Sequence, residues 1–396
     1  GFAGMSAVLQ TLSAIGDASG DSFMAKQHYS SIIMLNKEGE YVSPGGGLGG
    51  GHRGTGDYSY GGVFFHEQGH AFNIPHVGAT YKEGKYPHPG GSLKGSAWGF
   101  DFDKNMFMTT ALPSSAIHFA SCQDHTFDAG DPRQLDDDSQ CVRQDPMQSG
   151  AGDQASHHNW AMFSDFNVAK IQSYFEGGTK PYYGTGRIFT DPNFTSGFSR
   201  WNREQKAFEE VPKTTVSNGS SGLDGGIPTT INQEVDTIIM TISFPESFPT
   251  ESGLDSPPTN GITQIYPPLR FIGNGVRLIA ADQSDQLASI IPNTGTYPWF
   301  CRASGCDYSV RLTYGDGTVK QFVLHGGFRD WFWDVSIDTY NNDAKNPEHA
   351  NSYKIWGISV PSEGKALTSV ELLHTPMVWN GLPASPRVLA SYTQNP

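Results

Sequence analysis

Residues 66–76 carry the clearest chemistry in this sequence, in the order H-E-x-x-H-x-x-N-x-x-H. On a helix, His66 and His70 are four residues apart, so both imidazoles project from one face and can bind one ion. Glu67 is offset by one position, which lets its carboxylate reach a water on the ion rather than the ion itself. His76 then returns as a third nitrogen ligand. Three protein ligands with one open position are typical of a catalytic zinc, so we predict one zinc ion there.

The third histidine can reach the first two only if the chain turns sharply after the helix. Asn73 lies in this turn, and Asn tolerates the left-handed region because its short side chain bonds to the local backbone. Pro75 then prevents the helix from continuing. These two residues favour a metal site over the alternative, a surface helix with incidental histidines.

Two of these features resemble known metallopeptidases. Metzincins carry H-E-x-x-H-x-x-G-x-x-H, and here Asn73 stands where Gly is usual. Residues 145–150, D-P-M-Q-S-G, resemble the metzincin Met-turn, in which a Met side chain forms an apolar floor beneath the ligands. The resemblance gives that role to Met147, and a helix is expected after the turn, at about residues 161–175.

A wider resemblance covers roughly residues 45–175. The hydrophobic run before His66, the motif itself, residues 86–101 (Y-P-H-P-G-G-S-L-K-G-S-A-W-G-F-D) and the turn at 145–150 resemble the StcE/TagA-like secreted metallopeptidases. Well-known members of that family cleave heavily O-glycosylated, mucin-like glycoproteins. The resemblance therefore implies a protein or glycoprotein substrate of that class.

The motif predicts a hydrolase of peptide bonds that uses a zinc-bound water, with Glu67 as general base. The alternative is a secreted glycan- or protein-binding protein whose zinc site has little or no activity. An intact Glu67 favours the enzyme. Trp331 and Trp333 alternate with Phe332, which would suit a sugar-binding face but is also typical of a buried core.

Composition limits the partners. A formal net charge of −14 argues against binding to nucleic acids or anionic membranes. No apolar run approaches the ~20 residues that a membrane span needs. The sequence begins at Gly1 without Met, which indicates a mature or truncated chain. A monomer is expected.

Four cysteines allow three pairings, and chain proximity favours Cys122–Cys141 and Cys301–Cys306. Disulfides imply an oxidising setting, so a secreted, extracellular protein is expected. Aspartates cluster inside the first loop and could bind Ca²⁺, but their spacing matches no defined calcium loop, and a solvated acidic surface is favoured. The cluster comprises Asp128, Asp131, Asp136, Asp137 and Asp138.

The predicted fold is α+β in two domains. A metzincin-like zinc metallopeptidase domain is expected at 1–210, with an amphipathic helix at 2–15. A Thr-, Ser-, Gly- and Pro-rich linker follows at 211–235, and a mainly β, β-sandwich-like domain at 236–396. Its strands are predicted at 237–244, 276–280, 308–314, 319–324, 331–337, 353–360 and 368–373.

Residues 44–62 are rich in glycine. A phosphate-binding loop is disfavoured because no Gly-Lys-Ser/Thr follows. The glycines are expected to let this segment pass close to the zinc helix or to line the cleft.

Overall fold

The computed structural model describes residues 4–59, 61–97, 100–103, 105–123, 133–148, 153, 161–177, 186–212, 223–255, 261–302, 304–330 and 339–394. The chain forms two compact units. The histidine unit is Ala25–Val211, and the sheet unit combines Gly1–Met24 with Pro212–Pro396. Both contain helices and sheets, so the mixed α and β character that the sequence predicts is confirmed.

Helices are short in the described residues. The α-helices are α1 Gly4–Ser19, α2 Gly61–Ala71, α3 Val77–Lys82, α4 Phe119–Gln123, α5 Asp165–Glu176, α6 Phe244–Ser247, α7 Pro249–Ser252, α8 Ser284–Ser289 and α9 Asn342–Lys345. Single 3₁₀ turns occur at Asp21–Phe23, Pro89–Gly91, Leu223–Gly226, Ala350–Ser352 and Val378–Asn380. Of the helices in this described part, none has the length and apolar character needed to cross a membrane.

Strands supply most of the regular structure. In the histidine unit they are β1 His28–Ile32, β2 Met34–Leu35, β3 Tyr41–Val42, β4 Gly47–Gly50, β5 Arg53–Asp57, β6 Phe100–Asp101, β7 Met106–Phe107, β8 Ile188–Thr190, β9 Phe198–Asn202 and β10 Ala207–Glu210. In the sheet unit they are β11 Thr230–Ser243, β12 Gln264–Ile265, β13 Leu269–Gly275, β14 Tyr308–Tyr314, β15 Val319–Leu324, β16 Tyr353–Pro361, β17 Leu367–His374 and β18 Arg387–Thr393.

Helix α2 lies against a three-stranded sheet of order β1-β5-β4. Strand β1 pairs with β5 in parallel, and β4 pairs with β5 antiparallel. A Cβ added at Gly49 would lie 2.2 Å from the Glu67 carbonyl oxygen, and one at Gly56 would lie 2.3 Å from Val63 Cγ1. The glycine-rich segment therefore lets the strands pass directly beside the helix, as expected, because any larger residue would push the two apart.

Helix α5 begins at Asp165, four residues after the predicted start. The Ser164 hydroxyl accepts a hydrogen bond from Asn167 N and caps the helix, which fixes its first turn. Gly177 ends the helix in the left-handed conformation, with φ of 85°.

Two four-stranded sheets build the sheet unit. One has the order β12-β11-β13 with β16 also paired to β11, and the other has the order β15-β14-β17-β18. Alternate residues of β11 and β14 enter one hydrophobic core, for example Ile238 and Met240 with Val310 and Leu312. The strands predicted at 308–314 and 319–324 are confirmed, and they form an antiparallel hairpin.

Other parts of the sheet unit differ from the sequence prediction. Strand β11 begins at Thr230, inside the predicted linker, and residues 276–280 form only an isolated bridge from Ala280 to Phe322. Three strands, β12, β13 and β18, were not predicted. Residues 331–338, which include the predicted strand at 331–337 with Trp331 and Trp333, lie outside the described residues.

The N-terminal helix α1 belongs to the sheet unit, although the sequence analysis placed it in the catalytic domain. It packs on β16, where a Cβ at Gly357 would lie 2.3 Å from the Ala14 carbonyl oxygen. Glycine at 357 therefore permits the close approach. The helix covers the face of β11 and β16 that points away from the shared core.

Candidate metal centre

The loop before helix α2 is organised by Asp57, which is fully buried at the end of β5. Its carboxylate accepts hydrogen bonds from the Ser43 hydroxyl, from Gly45 N at 2.8 Å, and from Ser59 N and Oγ at 2.8 and 2.7 Å. These bonds, led by that from Ser43, hold the pKa of Asp57 well below its usual range. The carboxylate thus ties the glycine-rich segment to the start of the helix.

The three histidines of the motif lie together. His66 Nε2 and His70 Nε2 are each 3.1 Å from His76 Nε2. One nitrogen from each ring lies within 4.8 Å of the others, and the three form the one cluster of potential metal ligands found among the residues described. His66 and His70 reach this point from the same face of α2, because they are four residues apart.

Backbone carbonyls fix two of the imidazoles. His66 Nδ1 lies 2.7 Å from the Pro146 carbonyl oxygen, and His70 Nδ1 lies 2.8 Å from that of Ile74. A carbonyl can only accept, so each Nδ1 carries the proton and each Nε2 presents a lone pair. Burial lowers the pKa of His66 and lowers that of His70 to about 4, so both rings are neutral at pH 7.

The turn that returns His76 has the predicted conformation. Helix α2 ends at Ala71, and Asn73 has φ of 63°, in the left-handed region. Asn73 N donates to the His70 carbonyl at 2.8 Å, and Ile74 N donates to the Gly69 carbonyl at 3.1 Å. These bonds satisfy carbonyls that the end of a helix leaves open. Helix α3 then begins directly after His76.

Met147 is fully buried against helix α2. It packs with Ile74, Val77 and Tyr86. A Cβ at Gly69 would lie only 2.0 Å from Met147 Sδ, so the sulfur rests on the helix backbone between the two histidine positions. Gly69 is therefore needed for this contact.

Asp145 is a residue of the site that the sequence analysis did not single out. Its buried carboxylate accepts hydrogen bonds from Met147 N at 3.0 Å, Ser164 N at 2.8 Å and Asn167 Nδ2 at 2.9 Å, and from the Tyr86 hydroxyl at 3.4 Å. Burial nevertheless raises its pKa. The bond to Met147 N is a local Asx turn, and an Asp two residues before the Met is the only sequence signal for it.

Glu67 is buried between α2 and β4. A Cβ at Gly47 would lie 2.7 Å from Glu67 Oε1, so the glycine leaves space for the carboxylate. Burial raises the pKa of Glu67 to about 7. Within the described part of the chain, no group donates a hydrogen bond to this carboxylate, which leaves it free to accept a proton from another molecule.

Residues 1–180 match the family described as peptidase M66. The chain resembles the M66 peptidases over this region. It is 38% identical over 393 residues to dictomallein from Burkholderia pseudomallei strain 668, and 38% identical over 391 residues to Dictomallein-3 from Dictyostelium discoideum.

These alignments cover 99% of this chain but 52% and 60% of the two relatives, so the chain spans little more than half of their length. The M66 family is described as a peptidase family, and the match to it covers residues 1–180, a little under half of this chain. The matched M66 region contains all three histidines, Glu67 and Met147.

Both predicted disulfides, Cys122–Cys141 and Cys301–Cys306, are present. Within the first loop, Asp136 Oδ1 accepts from Asp138 N at 3.0 Å and from Gln140 N at 2.7 Å, so it shapes a turn. Asp137 lies 3.6 Å from Lys94 Nζ. Two further aspartates of the predicted acidic cluster, Asp128 and Asp131, lie outside the described residues.

Proposed function

We propose that this chain is a metzincin-type zinc endopeptidase, in which His66, His70 and His76 hold one catalytic zinc ion. The observation that carries the proposal is the convergence of three imidazole nitrogens within 4.8 Å of one another, with two rings anchored through Nδ1. The Nε2 lone pairs of His66 and His70 both face His76 Nε2, which is the arrangement that ligands of one cation need. Imidazole nitrogens suit zinc, so the residues present fit this metal.

When bound, zinc supplies Lewis acidity, which lowers the pKa of water and polarises a carbonyl group. Glu67 is the general base: its carboxylate takes a proton from the attacking water and delivers it to the leaving amine. A cation held by the three histidines would favour the ionised form of Glu67, and so would oppose the rise in pKa that burial causes.

Met147 and Asp145 act through the ligands rather than on the substrate. Met147 is the apolar floor beneath α2. Asp145 is a positioning residue, because it holds the turn whose Pro146 carbonyl accepts a hydrogen bond from His66. The carboxylate therefore stabilises the orientation of the first ligand from a distance, as partners beyond the ligands commonly do in metal sites.

For the substrate, we propose O-glycosylated, Ser/Thr-rich, mucin-like glycoproteins, with secretion to an extracellular setting. Support comes from the StcE/TagA-like resemblance at residues 86–101 and from the two disulfides. Strand β4 lies at the edge of its sheet and has Leu48 as its single side chain beyond glycine. An edge with so few side chains is compatible with a bulky, glycan-bearing chain. We further propose that the enzyme is monomeric and that the two four-stranded sheets form a β-sandwich.

The test is digestion of casein and of a mucin-type glycoprotein, each with and without a metal chelator. Chelator-sensitive cleavage supports the peptidase, and no cleavage of either protein overturns it in favour of a binding protein. The mucin is then compared before and after enzymatic removal of its O-glycans. Slower cleavage after deglycosylation supports the proposed substrate class, whereas equal or faster cleavage makes the enzyme a general endopeptidase.

A further inference from the structure

The sheet unit contains a cavity of about 400 Å³ that the proposed peptidase chemistry does not use. Three basic side chains line it: Arg277, Lys354 on β16, and His325 directly after β15. Its apolar lining includes Leu223, Ile279, Phe300 and Trp356. This size and this mixture of apolar walls with a few polar groups are typical of sites for small molecules.

The Lys354 side chain has no hydrogen bond or ion pair with any residue in the described part of the chain, although it is partly buried. Burial alone lowers the pKa of its ammonium group, without an opposing contribution from a carboxylate. The other lysines nearby on these sheets are paired: Lys320 contacts Glu363 at 2.9 Å, and Lys365 lies 3.4 Å from Asp316. An ammonium group that is partly removed from water without a counter-charge destabilises the folded protein, so we expect Lys354 to lower the free energy of unfolding.

His325 adds a second nitrogen with unused hydrogen-bonding capacity. Its Nε2 is buried and has no hydrogen-bond partner among the residues that the structure describes, while its backbone carbonyl accepts a hydrogen bond from Trp356 Nε1 at 2.7 Å. Its ring stands edge-on to Phe300, with centroids 5.2 Å apart. Burial, together with the charge of Lys354, lowers the pKa of His325 to about 4, so it is neutral at pH 7.

The remaining charged groups of the cavity are already engaged. Arg277 donates to Asp224 at 2.7 Å, and Asp17 accepts from the Ser22 hydroxyl at 2.5 Å. Neither Asp17 nor Asp224 comes within ion-pair distance of Lys354. The unmatched charge at this cavity is therefore positive.

We propose that this cavity binds a small organic anion, whose carboxylate or sulfate pairs with Lys354 and whose body, about one sugar ring in size, packs on the apolar walls. Acidic sugars and free organic acids share this chemistry. The proposal is independent of the peptidase, because it concerns binding to the sheet unit alone.

The test measures binding by calorimetry to the full chain. The probes are N-acetylneuraminic acid and benzoate, each compared with its neutral methyl ester, and inorganic sulfate. We expect at least one acid to bind while its ester binds at least tenfold more weakly. The acid that binds identifies the source as a sugar acid or a simpler organic acid. Binding of inorganic sulfate alone, or of no probe, overturns the proposal.

The variant Lys354→Met retains much of the side-chain length and removes the charge, and Lys365→Met is the matched control. Lys354→Met should weaken binding of the acid at least tenfold, and the control should bind like the wild type. Without ligand, Lys354→Met should melt at the same temperature as the wild type or higher, because a desolvated charge is removed. A lower melting temperature with unchanged binding would make Lys354 structural and contradict the proposal. The comparison of acids with esters in the wild type holds even if the variant does not fold.

Discussion

Substituting Gly69 by Ala tests how the Met147 turn supports the metal ligands. The added Cβ would lie 2.0 Å from Met147 Sδ and 3.2 Å from Phe163 Cε1. Favourable contacts between heavy atoms lie at about 3.5–4.0 Å, so the sulfur or the helix must move by about 1.5 Å or more. Since Gly69 lies between His66 and His70, either movement disturbs the convergence of their nitrogens.

The magnitude follows from two opposing effects. Overpacking a buried contact typically costs about 1–3 kcal/mol of unfolding free energy. Ala is favoured over Gly inside a helix by about 1 kcal/mol, which offsets part of that cost. The expected net loss is up to about 2 kcal/mol, together with weaker zinc binding. On a helix face without the Met147 contact, the same substitution would stabilise the protein.

The assay is chemical denaturation of the metal-free protein combined with zinc titration, in a double-mutant cycle with Met147→Ala. Met147→Ala alone should cost about 2–5 kcal/mol, because it removes a buried side chain. In that background, Gly69→Ala should cost nothing or should stabilise, since the sulfur is gone. Additive effects in the cycle, or Gly69→Ala with wild-type stability and zinc affinity, would refute the proposed support.

Three further outcomes are expected. Glu67→Gln should keep stoichiometric zinc but lose about 10²–10⁴-fold in peptidase activity, and near-wild-type turnover would remove Glu67 from the role of base. Asn73→Ala should cost about 1–2 kcal/mol in denaturation because φ is 63°, whereas Asn73→Gly should be close to neutral; equal costs would contradict the strain argument. Burial lowers the pKa of His374 to about 4 in the folded protein, whereas the pKa is about 6.5 in the unfolded chain. Between these two pH values the unfolded state binds more protons, so the free energy of unfolding falls as the pH falls from about 6.5 to about 4. His374→Phe should lose less stability over that range than the wild type, and parallel curves would show that His374 does not contribute.

The positions of the histidines could be predicted from sequence because their geometry is local. A spacing of four residues on a helix fixes a common face for His66 and His70, and Asn73 supplies the one backbone conformation that the return to His76 requires. The two disulfides could also be predicted, because the cysteines of each pair are close together in the sequence.

The features that could not be predicted from the sequence depend on contacts between distant parts of the chain. Asp145 gathers groups from Tyr86, Ser164 and Asn167, and no spacing in the sequence connects them. The spacing of apolar residues in α1 predicted a helix, but it could not predict which sheet the apolar face of that helix would pack against. Strand β13 was missed because its side chains are largely exposed and it ends in Gly273, Asn274 and Gly275, so the alternation that marks a half-buried strand is absent.

The most direct test of the zinc peptidase is a zinc titration of chelated, purified protein, with peptide hydrolysis followed after each addition. Three histidines that form a single site predict a linear rise in activity that stops at about one equivalent of zinc, and His76→Ala should abolish the rise. Full activity before any zinc is added, or a rise unaffected by His76→Ala, would contradict the assignment of the catalytic metal to these three residues.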